Sequence, residues 1–348
     1  MDPVDENGKV QPVYLPWHKQ LLEQMLSLKQ QQRLPHAILI DSASEEDGVE
    51  FIWRLAMLIL CNEVADTIPC GRCQSCQLML SNTYPDFIYL SLLYDEKKKK
   101  INKNIKIEQI RKLIHELHLT RHFDNFKIAA IYPADKMSIA SANSLLKTVE
   151  EPASQVVILL LTHDKGKLPV TIRSRCQIWS LNQPEKQLSL DWLLEQGMES
   201  KECEQYLEYA GGDPLLALKL KSLNYADLVD DFKQQFTLYL KNSTDVATIC
   251  AKLIKSDVAL IRRLVKMVIN AYCYQLSGLS ANLETGIIGR KSQARQILTL
   301  SGQAERQLMI EDNNLNFQIQ LEDVLISLKQ IIKRSKADGS TQSRHTVS

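Results

Sequence analysis

Four of the chain's eight cysteines fall in one short segment, CNEVADTIPCGRCQSC at 61–76. Cys70, Cys73 and Cys76 are separated by two residues each, and eight residues lie between Cys61 and Cys70. A two-residue spacer lets paired thiolates reach one ion from a tight turn, and Gly71 directly after Cys70 eases that turn. Four sulfur ligands complete a tetrahedron and leave no open coordination position. The pattern therefore predicts a structural Zn2+ at Cys61, Cys70, Cys73 and Cys76 rather than a catalytic one. The competing uses are disulfides, which a reducing cytosol disfavours, and a redox pair, which needs two sulfurs and not four. Cys176, Cys203, Cys250 and Cys273 are scattered and read as small buried residues. His115 and His118 stand three apart on one helix and read as a polar face rather than as ligands.

An α/β nucleotide-binding domain keeps its phosphate cradle between its first strand and the helix that follows. Such a cradle needs glycines for close backbone approach, a lysine on the β/γ-phosphates and a hydroxyl on magnesium. Here the strand HAILI (36–40) runs into DSASEEDGVE, Asp41 to Glu50, which has one glycine and no lysine. Asp41, Glu45, Glu46 and Asp47 place carboxylates where phosphates would lie. Each would cost on the order of 1–4 kcal/mol at surface dielectrics. A second nucleotide element, a strand ending in acids that position magnesium and water, reads KIAAIYPADKM. Tyr132 and Pro133 occupy its end, and Asp135 comes late. The two losses predict a domain that keeps a nucleotide-binding architecture and binds no ATP.

The elements that must position these residues follow from hydrophobic patterning. HAILI (36–40), FIYL (87–90), KIAAIY (127–132), VVILLLT (156–162) and CQIWSL (176–181) are short, continuous apolar runs. Continuous rather than alternating apolarity suits strands of a parallel sheet covered on both faces. Between them lie helical patterns: Ile107, Ile110, Leu113, Ile114 and Leu117 share one face, and SIASANSLLKTVEEP stops at Pro152. Strands alternating with helices predict an α/β domain over the first 180 residues. After Pro184 only helical patterns follow, a short set at 185–222 and long amphipathic segments from 225 to 335.

The chain of 348 residues carries 12 glycines, where average usage would give roughly 24, which favours helices over a turn-rich sheet fold. A net charge of +1 offers no global field for nucleic acid or membranes, so any DNA contact is local or shared with partners. The N-terminal segment lacks a signal-peptide pattern, and no apolar run approaches the ~18 residues of a membrane span. A cytoplasmic location is expected. The KKKK run at 97–100 reads as a solvated loop, and the tail at 336–348 as disordered.

In order, LPHAILI, the cysteine knuckle, YPDF, NSLLKTVEEP, KLPVTIRSRC and NNLNFQIQLEDVLI carry a resemblance. Over nearly the whole chain the sequence resembles the bacterial DNA polymerase III clamp-loader subunits, a family of AAA+ proteins. The knuckle together with the degenerate cradle resembles the delta-prime branch rather than the ATP-hydrolysing gamma/tau branch. The resemblance implies an AAA+ core with an inserted zinc knuckle at 1–180, a helical lid at 181–224 and an all-α collar at 225–335. It further implies that Ser174, Arg175 and Cys176 form the motif that projects an arginine finger into a neighbour's ATP site, Arg175 acting in trans.

Ser174 would brace the turn and Cys176 would sit beneath it. Implied partners are the gamma/tau and delta subunits in a hetero-pentameric ring. The sliding clamp and primer-template DNA are reached through that complex, with no membrane. The chain alone would perform no reaction while serving the DNA-directed polymerase holoenzyme in DNA replication. A gamma-like active ATPase and a stand-alone zinc-dependent DNA-binding module are the alternatives. Lys147, Glu150 and Glu151 stay open between subunit or nucleic-acid contact and a capped, solvated helix end.

Overall fold

The computed structural model describes residues 13–95, 100–254, 256–277 and 317–342, with Thr299 and Gly302. It divides into two compact units, residues 1–217 and 218–348. The first unit begins with α1 (Lys19–Gln30), β1 (Ala37–Ser42), α2 (Glu45–Leu60) and α3 (Gln74–Leu80). Next come β2 (Phe87–Leu90), β3 (Tyr94–Asp95), β4 (Lys100–Ile101), α4 (Ile107–His118) and β5 (Lys127–Ile131). Then follow α5 (Ile139–Glu150), β6 (Val156–Thr162), α6 (Val170–Arg173) and β7 (Gln177–Leu181). The helices α7 (Lys186–Glu195) and α8 (Ser200–Tyr209) complete it, and α9 (Pro214–Ser222) contains the boundary residue.

Five strands form one sheet in the order β2-β5-β6-β1-β7, and every pairing is parallel. The alternation of side chains across the strands builds two cores. Ile38, Ile40, Ile128, Ala130, Leu159 and Leu161 face α1 and α2, whereas Ala37, Leu39, Ala129, Ile131, Ile158 and Leu160 face α4 and α5. Helices on both faces explain why β1, β5 and β6 read as unbroken apolar runs. On α4, Ile110, Leu113 and Leu117 are the buried stripe. In α2 nearly every residue from Val49 to Leu60 is buried, including Phe51 and Trp53, so this helix is the middle of one core rather than its cover. Its first turn lies against the sheet: a Cβ on Gly48 would stand 2.6 Å from Leu161 Cδ1 and 3.1 Å from Ser42 Cβ.

The second unit is helical where described, with α10 (Tyr225–Leu240), α11 (Val246–Leu253), α12 (Val258–Ser277) and α13 (Phe317–Gln342). Phe232 stacks on Phe236 at 5.6 Å, and Lys329 Nζ lies 3.5 Å from the centroid of the Tyr239 ring. Its core includes Val229, Ile249, Leu264, Val265, Leu325 and Leu328. A parallel sheet flanked by helices, followed by a helical region, is the expected architecture.

Two local expectations change. Lys100 pairs as a strand residue with Asp95, so the lysine run is not loop throughout; residues 97–99 lie outside the described residues. The last helix continues to Gln342 and takes in most of the expected tail, because extending an established helix costs little per residue. Residues 343–348 and most of 278–316 lie outside the described residues. Among the described residues no helix is long and apolar enough to cross a membrane.

A buried ion pair fastens the edge of the sheet. Asp86 Oδ2 accepts the backbone N–H groups of His122 (2.8 Å) and Phe123 (3.1 Å), and its Oδ1 lies 3.5 Å from Lys127 Nζ. Lys127 Nζ also donates to the carbonyls of Glu116 (3.1 Å) and Leu119 (3.0 Å) at the end of α4. Removing one member of such a pair strands a buried charge. Asp86→Ala is expected to cost about 3–5 kcal/mol of stability, read as a lowered urea midpoint. A cost under about 1 kcal/mol would mean the pair behaves as a surface contact.

Candidate functional site

Each cysteine of the cluster is placed by an element end. Cys61 is the C-cap of α2, Cys73 is the N-cap of α3, Cys76 lies in the first turn of α3, and Cys70 sits in the loop between, beside Gly71 at φ +68°. The four sulfurs lie within 4.8 Å of one another, with Cys70 Sγ and Cys76 Sγ 3.9 Å apart. Thiolates held about 2.3 Å from a tetrahedral zinc ion stand about 3.8 Å apart, so the donor set suits one shared ion. Backbone N–H groups are aimed at the sulfurs: Cys70 to Cys61 Sγ (3.3 Å), Cys73 to Cys70 Sγ (3.3 Å) and Cys76 to Cys73 Sγ (3.5 Å). Hydrogen bonds from the Cys73 and Arg72 backbone hold the Cys70 thiol down at about 6. Burial pushes Cys61 and Cys76 up, a penalty that a bound cation reverses. The cluster could hold a metal ion with every ligand supplied by the protein.

The anchor of this knuckle is tied to the core from two sides. Lys29 Nζ, on α1, donates to the carbonyls of Cys61 (3.2 Å) and Leu58 (3.3 Å), and Asn125 Nδ2 donates to that of Leu60 (2.9 Å). These are orphan carbonyls of the last turn of α2, which a helix cannot satisfy internally.

At the opposite end of α2 lies the turn after β1, where a nucleotide-binding domain would keep its phosphate cradle, and several of its polar side chains are paired within the chain. Ser44 is the N-cap and its Oγ accepts the Asp47 N–H at 3.2 Å. Asp47, buried, uses one oxygen to accept from Trp17 Nε1 (2.6 Å) and to meet His18 Nε2 (2.9 Å). Asp213 hydrogen-bonds Ser44, and burial near Glu46 and Asp47 raises its carboxyl above the usual range. Asp41 is paired with Lys165 at 2.9 Å.

Across the end of the sheet, His163 Nδ1 lies 2.9 Å from the Ser42 carbonyl, and its Nε2 lies 3.0 Å from Tyr132 Oη. A carbonyl only accepts, so in the neutral ring Nδ1 carries the hydrogen and Tyr132 donates to Nε2. Burial, with Glu45 nearby, drives the Tyr132 phenol far above its ordinary value and keeps it protonated. Asp135 is engaged elsewhere, accepting from Thr162 Oγ1 at 3.1 Å.

Arg175 follows the short helix α6 and is exposed. Its Nε donates to Glu150 Oε1 at the end of α5, and its Nη1 donates to the Thr171 carbonyl (2.9 Å) and to Ser174 Oγ (3.3 Å). Ser174 in turn donates to the Thr171 carbonyl at 3.3 Å. Cys176 is half-buried against the core on the α4–α5 face, and burial pushes its thiol up to about 11, so it is not a nucleophile at neutral pH.

Comparison with known proteins adds a family to this geometry. Residues 17–185 match the family described as "DNA polymerase III, delta subunit". The DNA polymerase III subunit delta' of Haemophilus influenzae is 31% identical over 228 residues, covering 65% of this chain and 67% of that protein. The chain belongs to the DNA polymerase III delta-prime family. The Escherichia coli delta' subunit is 29% identical over 208 residues, 60% of each chain. These alignments span about two thirds or less of the relatives' length. A DNA polymerase III gamma subunit-related protein of Thermotoga maritima shares the fold, with a TM-score of 0.51 at 18% identity over 88% of this chain and 99% of that one.

In this delta-prime family member the structure brings some sequence-flagged residues together and leaves others apart. The four cysteines of the knuckle converge, as do Ser174, Arg175 and Glu150. His115 and His118 are exposed, and among the described residues the cysteine cluster is the one grouping suited to a metal. Cys203 and Cys250 are buried, and the side chain of Cys273 lies outside the described residues. Sequence reasoning missed Trp17, His18, His163 and Asp213 as partners of Asp47, Ser42 and Ser44 around the turn after β1. Only the odd placement of Tyr132 at a strand end pointed there.

The cluster geometry makes a direct prediction. Wild-type protein prepared without chelator should carry one metal ion per chain by elemental analysis, and Cys73→Ser should carry almost none. The Tm of that variant should fall by about 5 °C or more, taking a loss of ~2 kcal/mol at 2–4 °C per kcal/mol. Metal-free wild-type protein with an unchanged Tm in the variant would show that the thiols serve packing alone.

Proposed function

We propose that the chain acts as the delta-prime subunit of the bacterial DNA polymerase III clamp loader, a non-hydrolysing AAA+ member that lends an arginine to a neighbour. The observation that carries this reading is the filled cradle. At the N-terminus of α2, where a nucleotide phosphate would sit, the chain's own Asp47 takes the donors of Trp17 and His18, with Asp213 on Ser44. A triphosphate entering there would meet these carboxylates and no cradle lysine: Lys165 is already paired with Asp41. Each unrelieved carboxylate would cost it on the order of 1–4 kcal/mol.

Against that closed pocket stands an exposed arginine fixed in place. A guanidinium offers a planar fork of donors matched to phosphoryl oxygens, and Arg175 is held by Glu150, Thr171 and Ser174 while remaining solvent-accessible. In this reading the subunit sits in a hetero-pentameric ring with gamma/tau and delta subunits, and Arg175 reaches an adjacent ATP site. The knuckle holds a structural Zn2+, residues 181–224 form the lid, and residues 225–335 form the collar through which the ring assembles. The complex opens the sliding clamp and closes it on primer-template DNA in the cytoplasm.

Two measurements test the reading. Arg175→Ala should leave ring assembly intact by size-exclusion and lower the DNA-stimulated ATPase of the reconstituted loader at least about tenfold, an arginine given in trans being worth ~10³–10⁵ in comparable hydrolases. Unchanged ATPase would remove the trans role. Ser44→Lys should still show no magnesium-dependent ATP binding in an equilibrium titration, because Asp47, Asp213 and Tyr132 remain. A micromolar affinity in that variant would overturn the electrostatic account and favour a gamma-like ATPase.

A further inference from the structure

Glu150 ends α5, where a carboxylate has the wrong sign for the negative end of a helix dipole. A solvated helix end would favour a cation there. Instead Glu150 reaches across to the guanidinium of Arg175, which stands 25 residues later. The next residue, Glu151, carries the same charge and makes no such contact with Arg175.

The way Arg175 is held is specific. Of the five N–H donors on a guanidinium, Nε goes to Glu150, and Nη1 serves the Thr171 carbonyl and Ser174 Oγ. The two hydrogens on Nη2 have no partner among the described residues. Nε and Nη1 are thus held by the chain while Nη2 stays open to oxygen acceptors on another molecule. The side chains of Arg175 and Glu150 are 38% and 44% exposed, so the brace is screened by water and its loss leaves the fold standing.

We propose that Glu150 is the positioning residue of Arg175: it holds the guanidinium by its Nε so that Nη2 meets the phosphoryl group of the neighbouring subunit. This inference rests on the reading of Arg175 as a donor in trans. It assigns Glu150 to the orientation of that donor, not to nucleic acid and not to a solvated helix end.

The test uses the full loader reconstituted with this chain as wild type, Glu150→Ala, Glu150→Asp, Glu151→Ala, Arg175→Ala and the Glu150→Ala/Arg175→Ala double variant. DNA-stimulated ATPase is resolved into kcat and KM for ATP. Misplacing a reacting group by about 1 Å can cost on the order of a hundredfold, and Glu150→Ala is expected to lower kcat about tenfold or more. KM, ring assembly and Tm should stay unchanged. Glu150→Asp, which keeps the charge, should recover part of the loss, and Glu151→Ala should match wild type. The double variant should be no slower than Arg175→Ala alone, since both act through one group.

If Arg175→Ala lowers kcat and Glu150→Ala does not, the positioning role falls while the trans arginine stands. A rise in kcat in Glu150→Ala would make the contact a latch and overturn the proposal. If Arg175→Ala itself has no effect, the underlying reading fails first.

Discussion

The first turn of α2 presents backbone N–H groups that a helix cannot satisfy and a partial positive charge that seeks an anion. In a nucleotide-binding domain of this architecture a phosphate answers both needs. Here Ser44 Oγ caps the Asp47 N–H, and Glu45, Glu46 and Asp47 bring negative charge to the same turn. Because Asp47 is buried, it must in turn be given donors, and Trp17 and His18 provide them. That requirement pins the segment before α1 against α2 and sets Trp17 edge-on to Trp192 at 5.5 Å.

The same helix carries the cysteine cluster at its other end. α2 is apolar on nearly all sides, so its position is fixed by burial and its last turn leaves the core at a defined point, Cys61. Lys29 and Asn125 hold the carbonyls of that turn, and the knuckle begins from a rigid base. The segment from Cys61 to Cys76 is too short to bury a core of its own, and its four cysteines pack on the apolar cluster around α2. The cradle and the knuckle are thus two ends of one rod, and neither could shift without moving the apolar cluster between them.

Much of this could be read from local sequence. FIYL and VVILLLT coincide with β2 and β6, and the stop at Pro152 places the end of α5, because burial on both faces and helix termination are written in adjacent residues. The cysteine spacing was legible for the same reason: a two-residue spacer has few uses. Pairings between distant residues were not. Asp86 with Lys127, Asp47 with Trp17, Tyr132 with His163 and Glu150 with Arg175 are separated by 25 to 41 positions. They exist only because the sheet order brings particular strand and helix ends together. Lys100 shows the opposite limit. A lysine run has no strand propensity of its own, and its pairing with Asp95 comes from the antiparallel partner across a short connection.

An arginine that serves another molecule faces two opposing demands. It must be ordered beforehand, or the cost of fixing a long side chain is charged to the encounter. It must also not be so well satisfied that the incoming phosphate has nothing to gain. A buried, fully paired guanidinium would meet the first demand and fail the second, because breaking a buried pair costs about 3–5 kcal/mol. The exposed contact with Glu150 is of the class worth about 0–1 kcal/mol: enough to bias a rotamer, and far less than charge-assisted bonds to a phosphoryl oxygen can return. The carbonyl of Thr171 and the hydroxyl of Ser174 add direction without adding negative charge. The turn after β1 and the arginine therefore contrast. In the first, Asp47, Trp17 and His18 pair with one another within the chain; in the second, Nε and Nη1 are held while Nη2 has no partner among the described residues.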